Sequence, residues 1–121
     1  MTKTIDLNTI LLIIEHAKVN QIKDERFAGL SCSGLGLSLL LPHHEIPLFY
    51  QWVRNLDALK IVARRHHNQP GALEAYGATK SGLHFSVLVE MDRRLLVEQK
   101  MIGRVELSRV AEFADSFKGV A

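Results

Sequence analysis

The strongest constraint on this chain is an alternating run, Leu83–Ile102, that follows a short loop at Lys80-Ser81-Gly82. Side chains along a strand point to opposite faces in turn, so alternation decides which face meets a core. Before the loop, Leu73, Ala75, Gly77 and Thr79 share one face. Gly82 stands where a three-residue hairpin loop needs a left-handed backbone. Counting back from that loop sets Thr79 against Leu83, Gly77 against Phe85, Ala75 against Val87 and Leu73 against Val89. A ring opposite a bare glycine is a recurrent compensation in sheets and supports this register.

The same arithmetic across Asp92-Arg93-Arg94 predicts a second hairpin. A two-residue loop would oppose Val87 to Glu98, and a slip of one residue turns a whole strand over, so three loop residues are required. Met91 then faces Leu95, Val89 faces Val97, Val87 faces Gln99 and Phe85 faces Met101. The core face becomes Leu83, Phe85, Val87, Val89 and Met91 beside Leu95, Val97 and Met101. The other face carries His84, Ser86, Leu88 and Glu90 beside Leu96, Glu98, Lys100 and Ile102.

Elements to cover this meander are legible on both sides of it. Asp6 can cap a helix over about 6–20, with Ile10, Ile13, Ile14 and Ala17 on one face. Phe27–Leu30 reads as a short strand and Ser31–Gly34 as a turn. Leu35–Leu41 is nearly continuously apolar, which suits a strand covered on both faces, and Pro42 ends it. A second helix over 43–55 carries Ile46, Phe49, Val53 and Leu56 at helical spacing, with Pro47 tolerated in its first turn. Leu59–Arg65 reads as a strand; the alternative continues the helix to His67, ahead of the stop at Pro70-Gly71. Ser108 is the expected cap of a last helix over 108–118, with Val110, Ala111, Ala114 and Phe117 as its stripe and Gly119 as its stop.

The expected architecture is an α+β two-layer sandwich, with a mainly antiparallel sheet of four to five strands built on the meander Leu59–Ile102. At 121 residues, 47% apolar and 23% charged, the chain reads as one ordered domain, 1–121. No stretch reaches the roughly 18 apolar residues of a membrane span, and Ile10–Ile14 is too short for a signal-peptide core. The lone Cys32 cannot form an intramolecular disulfide, which fits the reducing cytoplasm; with no activating base beside it, it reads as a buried, inert thiol.

Candidate functional residues collect where strand ends meet. If Leu35–Leu41 and Leu59–Arg65 are parallel neighbours joined by a crossover helix, both end at the edge that also holds Asp92-Arg93-Arg94. Arg64, Arg65, His66, His67, Arg93, Arg94, His43 and His44 would then form one cationic rim, able to bind a phosphate, a nucleic acid or an acidic protein surface. A net charge of +2 is too small to imply nucleic-acid binding by itself. Adjacent histidines on a strand point to opposite faces, so the two His-His pairs do not make a metal site, and no cofactor is expected. The loop Ser31–Gly36 lacks the lysine of a phosphate-binding loop.

The chain therefore reads as a small non-enzymatic binding or accessory protein. A rival reading comes from Glu98-Gln99-Lys100 on a strand beside Glu90, which resembles the acidic-pair-plus-lysine arrangement of PD-(D/E)xK nucleases. That resemblance would imply a divalent cation on Glu90 and Glu98 with Lys100 assisting. It lacks the usual Pro-Asp, and its acidic residues lie closer in sequence than in that family. Finally, the outer face predicted for the meander holds Leu88, Leu96 and Ile102, with Val105 and Leu107 beyond. Such an oily face is expected to be covered by a helix or by a second copy, as is an edge strand by strand pairing, so a homodimer is expected.

Overall fold

In the computed structural model, which describes residues 6–24, 26–33, 36–65 and 71–118, the chain is a two-layer α+β sandwich. Its order is α1 (Leu7–Val19), β1 (Gly29–Ser33), β2 (Gly36–Leu40), α2 (Ile46–Val53), β3 (Asp57–Arg64), β4 (Gly71–Ala78), β5 (His84–Met91), α3 (Arg93–Glu98), β6 (Gly103–Val105) and α4 (Leu107–Lys118). The six strands form one open sheet in the order β1-β2-β5-β4-β3-β6. All neighbours are antiparallel except β2 and β5.

The hairpin around Lys80-Ser81-Gly82 has the expected register. Gly77 pairs with Phe85, Ala75 with Val87 and Leu73 with Val89. Thr79 N–H donates to the Leu83 carbonyl at 3.0 Å, and Gly82 is left-handed at φ +86°. The space beside Gly77 is taken by a neighbouring strand: a Cβ there would lie 2.8 Å from Leu56 Cβ and 3.0 Å from the Asp57 carbonyl. Residues 57–64 are strand, not a continued helix.

The second hairpin does not form. Asp92 accepts a hydrogen bond from the Arg94 N–H at 2.9 Å and caps the six-residue helix α3, so 93–98 leave the sheet. Lys100 then turns the chain at φ +58°, and Gly103–Val105 pairs on the far side with β3. The helical path reverses the predicted facing: Leu96 is fully buried, whereas Val97 is 48% exposed. Leu96 enters the space left by the missing side chain of Gly71, whose Cβ would collide with Leu96 Cδ1.

The other boundaries shift for local reasons. Asp6 caps α1 by accepting from Thr9 N–H at 2.8 Å. The second helix starts at Ile46, not at 43, because His44 is left-handed at φ +66°. The last helix already includes Ser108, and Val110 N–H bonds back to the Glu106 carbonyl, so Ser108 is not the cap. Strand β1 extends through Ser33, over residues expected to turn, while Gly34, Leu35 and Gly119 lie outside the described residues.

One sheet face builds the core. Leu37, Leu39, Phe85, Val87, Leu73 and Ile61 are buried there under Phe49, Trp52 and Val53 of α2 and Val110, Phe113 and Ala114 of α4. At roughly 25 cal/mol per Å² of apolar surface removed from water, this layer is the main stabilising contribution. Strand β2 alternates, with Leu37 and Leu39 buried and Ser38 and Leu40 half-buried, so it is not covered on both faces. Of the residues expected on the oily outer face, Leu88 stays there, whereas Val105 and Leu96 are core, Leu107 packs against the core and Ile102 is 66% exposed just before β6. By parity with their paired partners, Leu88, Leu40, Val62 and Tyr76 lie on the face opposite the core, interleaved with Ser38, Ser86 and Glu74.

Candidate functional site

Strand directions bring the expected rim to one end of the sheet by a different route. Strand β2 lies beside β5, with β4 between β5 and β3, so β2 and β3 are not neighbours. Because β2 is parallel to β5, and β5 and β3 are both antiparallel to β4, the three nevertheless point the same way. The segments after Leu40, Arg64 and Met91 therefore meet at one edge. His66 and His67 lie outside the described residues.

The residues at this edge divide by the work that they already do. Arg65 is half-buried and acts on backbone: its Nε donates to the Met101 carbonyl at 2.6 Å and an Nη to the Leu96 carbonyl at 3.2 Å. A planar guanidinium can serve two such acceptors at once, and here it ties the end of β3 to the end of α3. Arg64 lies on the open face, 2.8 Å from a Glu74 carboxylate oxygen, and donates to the Tyr76 hydroxyl at 3.0 Å. The Glu74 charge, reinforced by Tyr76, raises the Arg64 pKa, while burial, ahead of Glu74, raises that of Tyr76.

His44 is a structural pin. Its backbone N–H donates to the Glu90 carbonyl at 3.0 Å, and its Nε2 accepts from the Asp92 N–H at 2.8 Å. Accepting there requires the neutral ring. Burial, then the neighbouring His43, lowers its pKa, against a smaller opposing pull from Asp92. The His43 and His44 rings meet edge to face at 4.2 Å. The two sit in a turn, so the opposite-face argument for a strand does not apply to them. Among the described residues, no three His, Cys, Asp or Glu side chains are grouped to hold a metal ion.

Arg93 and Arg94 remain. Both are exposed in the first turn of α3, and neither makes an ion pair among the described residues. Arg26, outside the rim expected from the sequence, joins Asp24 at 2.7 Å and Glu45 at 2.9 Å where β1 begins at the same edge. Its charge is answered locally, and these two carboxylates push its pKa up.

The acidic-pair-plus-lysine arrangement is not assembled as expected. Glu90 is half-buried on β5, but Glu98 ends α3 and Lys100 sits in the following turn, so the strand meant to align all three is absent. Cys32 is half-buried, not buried, on the helix-bearing side of β1.

At the opposite end of the sheet, α1, the end of α2 and the 79–83 turn enclose a cleft of about 140 Å³. Its buried polar groups bond to one another. His16 Nε2 lies 3.0 Å from the Trp52 carbonyl, and Asn20 Nδ2 donates to the His16 carbonyl at 2.9 Å and lies 3.2 Å from His16 Nδ1. Asn55 donates to Asn20 Oδ1, and Thr79 shares a 2.8 Å hydrogen bond with Ser81. Two of these bonds, His16 to Trp52 and Asn55 to Asn20, fasten α1 to the end of α2. No family model, curated protein or solved structure matches this chain.

Proposed function

We propose that this chain is a non-catalytic binding protein that holds an acidic partner at the rim where β2, β3 and β5 end, through Arg93, Arg94 and His43. One observation carries the reading: two arginines occupy the first turn of α3 with no acidic side chain paired to either among the described residues. Positive charge at a helix N-terminus opposes the helix dipole and costs about 0.3–1 kcal/mol per residue. Arginines that stabilise nothing locally are available for a ligand, whereas Arg65 and Arg64 have partners within the fold.

The test is a salt titration of the native chain and of the Arg93→Glu/Arg94→Glu double variant, with a single-stranded oligonucleotide and a poly-glutamate peptide as probes. Binding of either probe by the native chain should weaken with salt and be lost in the double variant. Equal binding by both proteins, or none by the native chain at low salt, overturns the reading.

We also propose that the protein self-associates through its sheet and works in the cytoplasm. The single half-buried thiol is compatible with a reducing compartment, and no helix among the described residues is long and apolar enough to cross a membrane. Light scattering tests self-association, and a monomeric mass at the highest soluble concentration counts against it.

A further inference from the structure

The two edges of the sheet are built differently. At one edge, β6 is three residues long and carries exposed Arg104. Short edge strands and edge charges are how sheets avoid pairing with other chains. At the other edge, β1 is the five-residue strand Gly-Leu-Ser-Cys-Ser, with no charge and no proline. Its register with β2 runs unbroken through all five pairs, so no bulge disrupts it. Among the described residues, nothing pairs with its outer edge.

We propose that β1 pairs antiparallel with β1 of a second copy, extending the two sheets into one; this rests on the self-association reading. A two-fold axis opposes each residue to its own kind or to a near neighbour, so a charged strand would repel itself there. Strand β1 carries nothing to repel. Full overlap of the strand with its copy centres the axis on Ser31 and sets Leu30 against Cys32 of the second copy. Both residues are half-buried against the edge of the core, on the helix-bearing side. Pairing therefore closes an apolar seam as well as satisfying backbone groups.

The geometry fixes where the rims go. Gly29 pairs with Leu40, so β1 begins at the rim end of its own sheet. Its antiparallel copy begins at the other end. The two rims point to opposite ends of the joined sheet, and each copy binds its acidic partner independently.

Light scattering on the full chain and on Gly29→Lys/Ser31→Lys tests this. Both positions lie on the outer side of β1; Ser31 is exposed, and a Cβ at Gly29 would sit an unstrained 3.7 Å from Leu40 Cβ. The native chain should be dimeric and the lysine variant monomeric, with unchanged circular dichroism and a melting temperature that, unlike the native chain's, does not rise with protein concentration. Gly29→Ser/Ser31→Thr, which adds bulk without charge, should remain dimeric. A lysine variant that stays dimeric overturns the β1 interface and leaves self-association standing; a monomeric native chain overturns both.

Discussion

His44 Nε2 accepts a 2.8 Å hydrogen bond from the backbone N–H of Asp92, joining the turn after β2 to the cap of α3. The bond needs a neutral imidazole, and burial first, then His43, holds the folded pKa below the ordinary value of 6.5. The unfolded chain therefore takes up this proton at higher pH than the folded one. The associated stability is complete above about pH 6.5 and is lost as the pH falls toward the folded pKa. His44→Asn tolerates the left-handed backbone at φ +66° and does not titrate. Its melting temperature should fall less than that of the native chain on acidification from neutrality. Parallel curves would remove His44 as a source of acid sensitivity.

Arg65 should behave as a structural residue despite its place in the rim. Arg65→Ala strands the Met101 carbonyl, takes the second donor from the Leu96 carbonyl, which keeps the Met101 N–H, and frees α3 from the end of β3, at about 1–3 kcal/mol. Arg65→Lys should recover only part of that loss, because an ammonium cannot present the same two-pronged donor. Urea denaturation measures both variants. Probe binding measured on the folded Arg65→Lys variant should be close to native.

The contrast between Arg65 and Arg93 marks what the sequence could reveal. Strand direction follows from counting elements, so the common end of β2, β3 and β5 was legible even though β2 was expected beside the wrong strand. The 73–91 hairpin was legible because loop and alternation agree over a long run. Residues 93–102 alternate too, but their path depends on Leu96 filling the space beside Gly71 and on Arg65 reaching two carbonyls. A six-residue helix held by such distant contacts has little local signal beyond Asp92 at its cap. For the same reason nothing near Arg64 in sequence distinguishes it from Arg93: its partners, Glu74 and Tyr76, arrive from the next strand.

Asn20 should control the attachment of α1. The helix leaves Leu7 and Leu11 78% and 60% exposed, so its apolar packing is thin and its C-terminal polar contacts matter more. Asn20→Ala removes the acceptor for Asn55 and the side-chain donor to the His16 carbonyl, which keeps the Asn20 backbone N–H, so the loss is that of one or two ordinary hydrogen bonds, about 0.5–1.5 kcal/mol each. Hydrogen exchange should speed up in 7–19 while β4 and β5 stay protected, since local opening follows local packing. Uniform acceleration through the sheet would mean that α1 is integral to the cooperative unit.

Neutralising the rim should separate binding from folding. Arg93→Gln with Arg94→Gln removes two positive charges from the first turn of α3 while leaving the Asp92 cap and the buried Leu96 in place. The helix dipole then faces no like charge, and stability should hold or rise by up to about 1–2 kcal/mol at low salt, shrinking as salt screens the effect. Binding of the acidic probe should fall in the same protein. Loss of stability instead would show that the arginines serve the fold. Their exposure and unfavourable position would then no longer mark them for a partner.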